Sequence, residues 1–139
     1  MTFSIHFPTE LGESIAVLGS TKELGEWKEY KHHLKWTEGH IWVSENPVLT
    51  RNPSFLYKYV LLKDLTEFKG WERGMDRCAD LCILPYRTQG FDGTKSVEIR
   101  DKWQAYFVRF SVFDPWSKFT DQLWLQSTSK QFSNIKMEL

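Results

Sequence analysis

The sequence has few cysteines, no excess of either charge and no long apolar run, and each shortage removes a class of protein. Eighteen basic residues are balanced by eighteen acidic ones, so no general field draws the chain to nucleic acid or to an anionic lipid surface. Nothing approaches the roughly 20 apolar residues of a membrane-crossing helix, and no apolar run behind a basic stretch follows Met1. The expectation is a cytoplasmic protein with no nucleic-acid partner and no membrane. Cys78 and Cys82 are the only cysteines. On one extended strand a rise of about 3.3 Å per residue would set their Cα atoms about 13 Å apart, beyond the approximately 7 Å reach of a disulfide. Two reduced thiols fit a reducing compartment.

Catalytic signatures are missing as well. There is no Gly-x-Ser-x-Gly, P-loop, Gly-x-Gly-x-x-Gly or His-Glu-x-x-His, and no acidic pair that can be placed across a sugar. His6, His32, His33, His40 and the two cysteines lack a recognised ligand spacing. The chain is therefore expected to be no enzyme in its own right and to need neither a metal nor a cofactor.

What the sequence does have is aromatic residues, 16% of the chain, including seven tryptophans among 139 residues. A β-sheet core accounts for many of them, because strands favour aromatic side chains. Others would lie outside, as platforms for a ligand with apolar faces. A chain of this length buries roughly 68–70% of its unfolded surface and folds without cross-links. Short strand patterns separated by turn residues fill the first hundred positions, the signature of an all-β sandwich or barrel. They run over Thr2–Phe7, Ser14–Leu18, the segment around Leu34 and Trp36, His40–Glu45, Phe55–Leu62, Phe68–Trp71, Leu81–Leu84 and Lys95–Ile99. The Phe55–Leu62 run is long and apolar enough to be a central strand. Ser20–Lys28 has room for one helical turn, with Ser20 as a cap and Glu23 three positions on.

Residues 1–103 read as one domain and 104–139 as an extension. In the extension, Tyr106–Phe113 is another strand pattern, and Leu123–Lys130 loosely echoes Ile15–Lys22. Two readings fit equally: the truncated start of a second similar module, or extra strands packed on the first domain. An unfinished module would expose strand edges and could self-associate through the tail.

One constellation suggests chemistry. A neutral sugar offers hydroxyls for hydrogen bonds and C–H faces that pack on aromatic rings, and a curved α-1,4-glucan needs two rings set at an angle with polar groups between. Leu24-Gly25-Glu26-Trp27 is a turn delivering Trp27, and Trp71-Glu72-Arg73-Gly74-Met75-Asp76-Arg77 is a polar turn delivering Trp71. Lys58 interrupts an otherwise apolar strand, where a charge needs a reason, although simple alternation would also place it in solvent. Trp71 could be a core ring at a strand end; its charged neighbours favour exposure.

Four ordered blocks, Val17-Leu18-Gly19-Ser20, Leu24-Gly25-Glu26-Trp27, Phe55-Leu56-Tyr57-Lys58-Tyr59 and Trp71-Glu72 with Asp76-Arg77, resemble carbohydrate-binding module family 20, the starch-binding domain, across about residues 1–103. The Asp76-Arg77-Cys78 run is similar to laforin-like members. Val97–Trp103 resembles the end of these modules in disproportionating glucanotransferases and in a glycerophosphocholine phosphodiesterase. The resemblance implies an immunoglobulin-like antiparallel β-sandwich of seven to eight strands. It further implies non-catalytic binding of starch, glycogen, maltooligosaccharides or cyclodextrin, with a catalytic domain as a candidate neighbour in the parent chain. By resemblance the first binding site falls on Trp27, Lys58, Trp71 and Glu72, with Asp76 at a position where asparagine is commoner. A second site would draw on Trp36 and Trp42, although Trp42 could equally be core. The alternative is a protein-interaction sandwich without glucan affinity, since exposed aromatics serve peptides too.

Overall fold

Alternation and its absence set the layers of the sheet. The computed structural model describes residues 1–84, 86–104, 123–125 and 135–137. In β1 (Thr2–His6) the inward residues are Phe3 and Ile5, and the residues between them face outward. By contrast, β2 (Glu13–Gly19) is buried from Ser14 onward. Its Ile15 and Val17 enter the main core, while Ala16 and Leu18 enter a smaller cluster on the other face with Val60, Leu62 and Tyr30. A strand covered on both sides has no need of polar alternation.

A 3₁₀ segment over Lys22–Trp27 follows, then β3 (His32–Thr37), β4 (Ile41–Ser44), β5 (Ser54–Lys63), β6 (Glu67–Trp71), β7 (Arg77–Asp80), β8 (Tyr86–Gln89) and β9 (Lys95–Lys102). Hydrogen bonding runs in the order β6-β5-β2-β3-β4-β1-β9-β8, with β7 also paired to β5. Every pairing in this path is antiparallel except β1 with β9, which is parallel. Phe3 of β1 lies with its ring centroid 5.3 Å from that of Tyr57 and 6.4 Å from that of Tyr59, both on β5. Three strands separate β1 from β5 in the path, so the sheet folds over on itself and encloses the core between two layers. This is the expected β-sandwich, with nine strands among the described residues of this unit.

Several local expectations change. Leu81–Leu84 is a turn, because Asp80 accepts the Cys82 amide on its carboxylate at 2.9 Å and the Leu84 amide on its carbonyl at 3.2 Å. The strand lies just before it, as β7. Cys78 is on that strand and Cys82 in the turn, both free and exposed. β8 is exposed throughout, so no inward periodicity marked it in the sequence. Ser20 does not cap the 3₁₀ turn: Thr21 holds the cap position without a side-chain bond. The Ser20 hydroxyl instead accepts the Leu56 amide at 3.1 Å and, with the Ser20 backbone N–H, bonds the Leu56 carbonyl. That close approach is why Gly19 is glycine: a Cβ there would lie 2.6 Å from the Leu56 carbonyl oxygen.

The chain divides into two compact units, 1–107 and 108–139. Of the second, β10 (Leu123–Leu125) and β11 (Ile135–Met137) form an antiparallel pair. The strand expected over 106–113, most of the Leu123–Lys130 echo, and the surfaces through which the tail would self-associate lie outside the described residues. No helix among the described residues is long and apolar enough to cross a membrane.

Gly19→Ala is expected to cost about 1–3 kcal/mol, the range for forcing extra atoms into a packed site; urea denaturation measures it, and an unchanged midpoint would show that β2 and β5 can part here without strain. A second test concerns His32, whose Nε2 lies 2.7 Å from Ser44 Oγ, the same oxygen that accepts the Phe3 amide at 2.8 Å. Burial, and then the neighbouring charge of His33, lower its pKa to about 4 from an ordinary 6.5. The unfolded chain thus takes up this proton more readily than the fold does. Stability from His32 is complete above pH 6.5 and is lost as pH falls toward 4. Thermal melts across this range are expected to decline more steeply for the wild type than for His32→Asn; parallel curves would contradict the assignment.

Candidate functional site

The site grows out of a gap in the pairing along one edge of β5. β6 pairs with residues 60–63 of β5 and β7 with residues 54–57, leaving Lys58 and Tyr59 between them without a strand partner on that side. Glu72 fills the gap. Its backbone N–H donates to the Tyr59 carbonyl at 3.2 Å and its carboxylate accepts the Tyr59 amide at 3.2 Å. The same carboxylate takes two bonds from the Arg77 guanidinium, at 2.9 and 2.8 Å. Arg77 also donates to Asp101 at 3.1 Å and to the Lys102 carbonyl at 2.9 Å, and its guanidinium carbon lies 5.5 Å from the Tyr59 ring centroid. Both Tyr57 and Tyr59 donate their hydroxyls to Asp101 at 2.8 Å.

The two tyrosines and the arginine are held in their ordinary charge states. Burial, reinforced by the Asp101 carboxylate, pushes the Tyr57 and Tyr59 hydroxyls well above the usual tyrosine range. Burial alone would lower Arg77, but the Glu72 hydrogen bond and the Asp101 charge outweigh it and raise the guanidinium above its ordinary value. Glu72 is 1% exposed, which corrects its expected role. It supports the loop from beneath and has no side-chain surface with which to touch a ligand, because closing the gap in the β5 ladder requires its carboxylate inside.

Above this base the loop 72–76 is pinned by Lys58. Its ammonium donates to the Gly74 carbonyl at 2.6 Å and lies 3.5 Å from the half-exposed Asp76 carboxylate. An ammonium has three donors, and these two contacts use two of them. Lys58 stands directly across from Leu18, and Trp71 directly across from Val60. Lys58 and Val60 are two residues apart on β5, so Lys58 and Trp71 share the outer face of the sheet. Trp71 is 39% exposed.

Trp27 reaches the surface by a different route. Leu24 is buried in the main core, and then Gly25, Glu26 and Trp27 all adopt positive φ, at 82°, 50° and 63°. The turn sends the chain to the outer face, where Tyr30 packs on Ala16, Leu18, Val60 and Leu62. Left-handed backbone at two consecutive non-glycine residues costs roughly 1–3 kcal/mol at each. Trp27 sits at the end of this strained run, 36% exposed.

Of the two second-site candidates one is buried and one is exposed. Trp42 is 5% exposed and belongs to the main core. Trp36, directly across from it on β3, stands at the sheet end, 49% exposed and edge-on to His40. Among the described residues no group of three or more His, Cys, Asp or Glu is placed to hold a metal. A shallow polar groove beside the 3₁₀ segment, lined by Ser20, Thr21, Lys22, Glu26 and Asn52, has no aromatic residue in its wall.

One residue of this face went unread in the sequence. Strict alternation would put Phe68 and Trp71, three positions apart, on opposite sides of β6. A β-bulge shifts the register between Leu61 and Leu62, so that Gly70 faces Leu61, Phe68 faces Leu62, and Lys69 is the extra residue. Lys69 is held by an ion pair with Glu13, which also lowers the Glu13 pKa. Phe68 thereby joins Trp71 on the outer face, with centroids 5.9 Å apart and planes at 57°. Gly70 was the available signal, since a glycine inside a strand often marks a bulge.

The family model described as a starch binding domain matches residues 1–82. Two solved structures are similar. A glycoside hydrolase family 15 glucoamylase from Hypocrea jecorina is 20% identical with a TM-score of 0.58, over 75% of this chain and 17% of that one. A glucoamylase from Hormoconis resinae is 22% identical with a TM-score of 0.55, over 78% of this chain and 18% of that one. This chain thus spans less than a fifth of either enzyme, and at these identities the likeness speaks to the fold. No curated protein matches.

Arg77→Ala is expected to destabilise the unit by about 3–5 kcal/mol, the cost of stranding a buried carboxylate. Urea denaturation measures this, and a loss below about 1 kcal/mol would show that the network does not hold the loop.

Proposed function

The chain belongs to the starch-binding domain family, carbohydrate-binding module family 20, and on that premise we propose that it binds α-1,4-glucan on the outer face around Trp71 without catalysing a reaction. The observation that carries this reading is an exposed Trp71 that shares one sheet face with Lys58. Starch, glycogen, maltooligosaccharides and cyclodextrins share the required surface: alternating C–H faces and hydroxyls on a curved chain.

In this mechanism Trp27 and Trp71 stack on glucose units while the remaining Lys58 donor and the Asp76 carboxylate bind hydroxyls at the ring edges. Glu72 acts indirectly, by fixing the loop that carries Asp76. A ring contact contributes roughly 0.5–1.5 kcal/mol beyond area burial, and a hydrogen bond to a charged group about 1.5–3 kcal/mol. Ordering costs offset much of this, leaving a site in the range of about 1 μM to 1 mM. Such affinity suits a polymer, because repeated units and a tethered or associated catalytic domain raise the effective concentration. The role in the cell that follows is to bring an enzyme to polysaccharide in the cytoplasm.

Affinity electrophoresis in amylopectin tests the reading. The wild type is expected to be retarded, and Trp71→Ala or Trp27→Ala to weaken binding about tenfold, equivalent to about 1.4 kcal/mol. Unchanged retardation of a folded Trp71→Ala protein would remove the platform. A folded wild type with no retardation would favour the protein-interaction alternative.

A further inference from the structure

Along the outer face of β5, three positions in a row carry the neighbours of the proposed site. Lys58 holds the loop 72–76, Val60 faces Trp71 and Leu62 faces Phe68. From Lys58 to Leu62 the strand advances about 13 Å at roughly 3.3 Å per residue. Trp71 therefore lies between Lys58 on one side and Phe68 on the other. Phe68 is half exposed, yet it does not belong to either buried cluster. Its ring meets Trp71 at 57°, so the two form a bent apolar strip instead of a flat one.

The bulge that creates this strip is anchored independently. Lys69, the extra residue, pairs with Glu13 on β2, whose carboxylate also accepts the Glu10 amide at 2.7 Å. Without the bulge Phe68 would turn to the opposite face of β6. An exposed aromatic ring brought beside a second one by an anchored irregularity presents a curved surface suited to a curved chain of sugar rings.

We infer that Phe68 is a third ring of the glucan platform, extending it past Trp71 on the side away from Lys58 so that the site discriminates in favour of longer chains. This rests on the reading that Trp71 stacks on glucan. A short oligosaccharide held by Lys58 and Trp71 ends before Phe68. A longer one continues onto it and gains a further stacking contact.

Titration calorimetry of the whole chain with maltotriose and with maltoheptaose separates the two claims, with circular dichroism confirming that each variant folds. Phe68→Ala is expected to weaken maltoheptaose binding about three- to tenfold while changing maltotriose binding by less than about twofold. Phe68→Tyr, which keeps the ring, is expected to retain the wild-type preference. Trp71→Ala is expected to weaken both ligands. If Trp71→Ala weakens both but Phe68→Ala changes neither, Phe68 is not part of the platform. If Phe68→Ala weakens both equally, it only steadies Trp71 and the extension is wrong. A wild type that binds neither sugar, or a Trp71→Ala protein that binds as the wild type does, overturns the underlying two-tryptophan reading and this inference with it.

Discussion

The buried ion pair of Glu72 and Arg77, completed by Asp101, is the constraint on which the site depends. Taking these charges out of water is costly unless every lone pair and donor finds a partner. Here Glu72 closes the ladder of β5, Arg77 spans from that ladder to β9, and Asp101 accepts from Arg77 and two tyrosine hydroxyls. One polar network thus ties the edge of one layer to a strand of the other and leaves the loop 72–76 with a fixed base. Apolar packing alone would fill the same volume but would not specify where Tyr59 loses its strand partner and where the loop leaves the sheet.

That base explains how the loop above it is held. Lys58 has only to pin Gly74 and Asp76, because Glu72 has already set the start of the loop. Two other local devices bring aromatic rings toward the outer face: the left-handed run Gly25–Trp27, and the bulge at Lys69. Both depart from regular backbone, and both end at an exposed aromatic ring. A regular sheet would send its large rings to the core, as happens to Trp42, Tyr57 and Tyr59. Strain and irregularity are what keep Trp27 and Phe68 from following them.

Much of the scaffold was legible in the residues. Phe3 and Ile5 alternate with polar neighbours and form β1; the run Ile15–Leu18 has no such alternation and is the part of β2 covered on both faces. The charge at Lys58 and the polar turn after Trp71 marked two segments that the structure joins through the Lys58 contacts to Gly74 and Asp76. Less visible were β7, which is short and carries Arg77 and Asp80, and β8, which faces solvent throughout. Their pairing is decided by β5 and β9, not by a pattern of their own. Side-chain type alone did not place Glu72 inside, and it left Trp42 open between surface and core: it does not tell which way a residue points when a carboxylate has a buried arginine partner or an indole stands across a strand pair.

By itself the sequence determined an all-β domain, the strands that build its core, the lack of catalytic and metal-binding patterns, and the family-like order of Trp27, Lys58, Trp71 and Asp76. Only the tertiary structure decided which of these side chains reach the surface. Periodicity fixes a side chain's face only while the strand stays regular, and one extra residue at Lys69 reverses that assignment for Phe68. Likewise, the demand that buried charges be paired draws Glu72 inward to Arg77, a residue whose partners lie on strands distant in the chain.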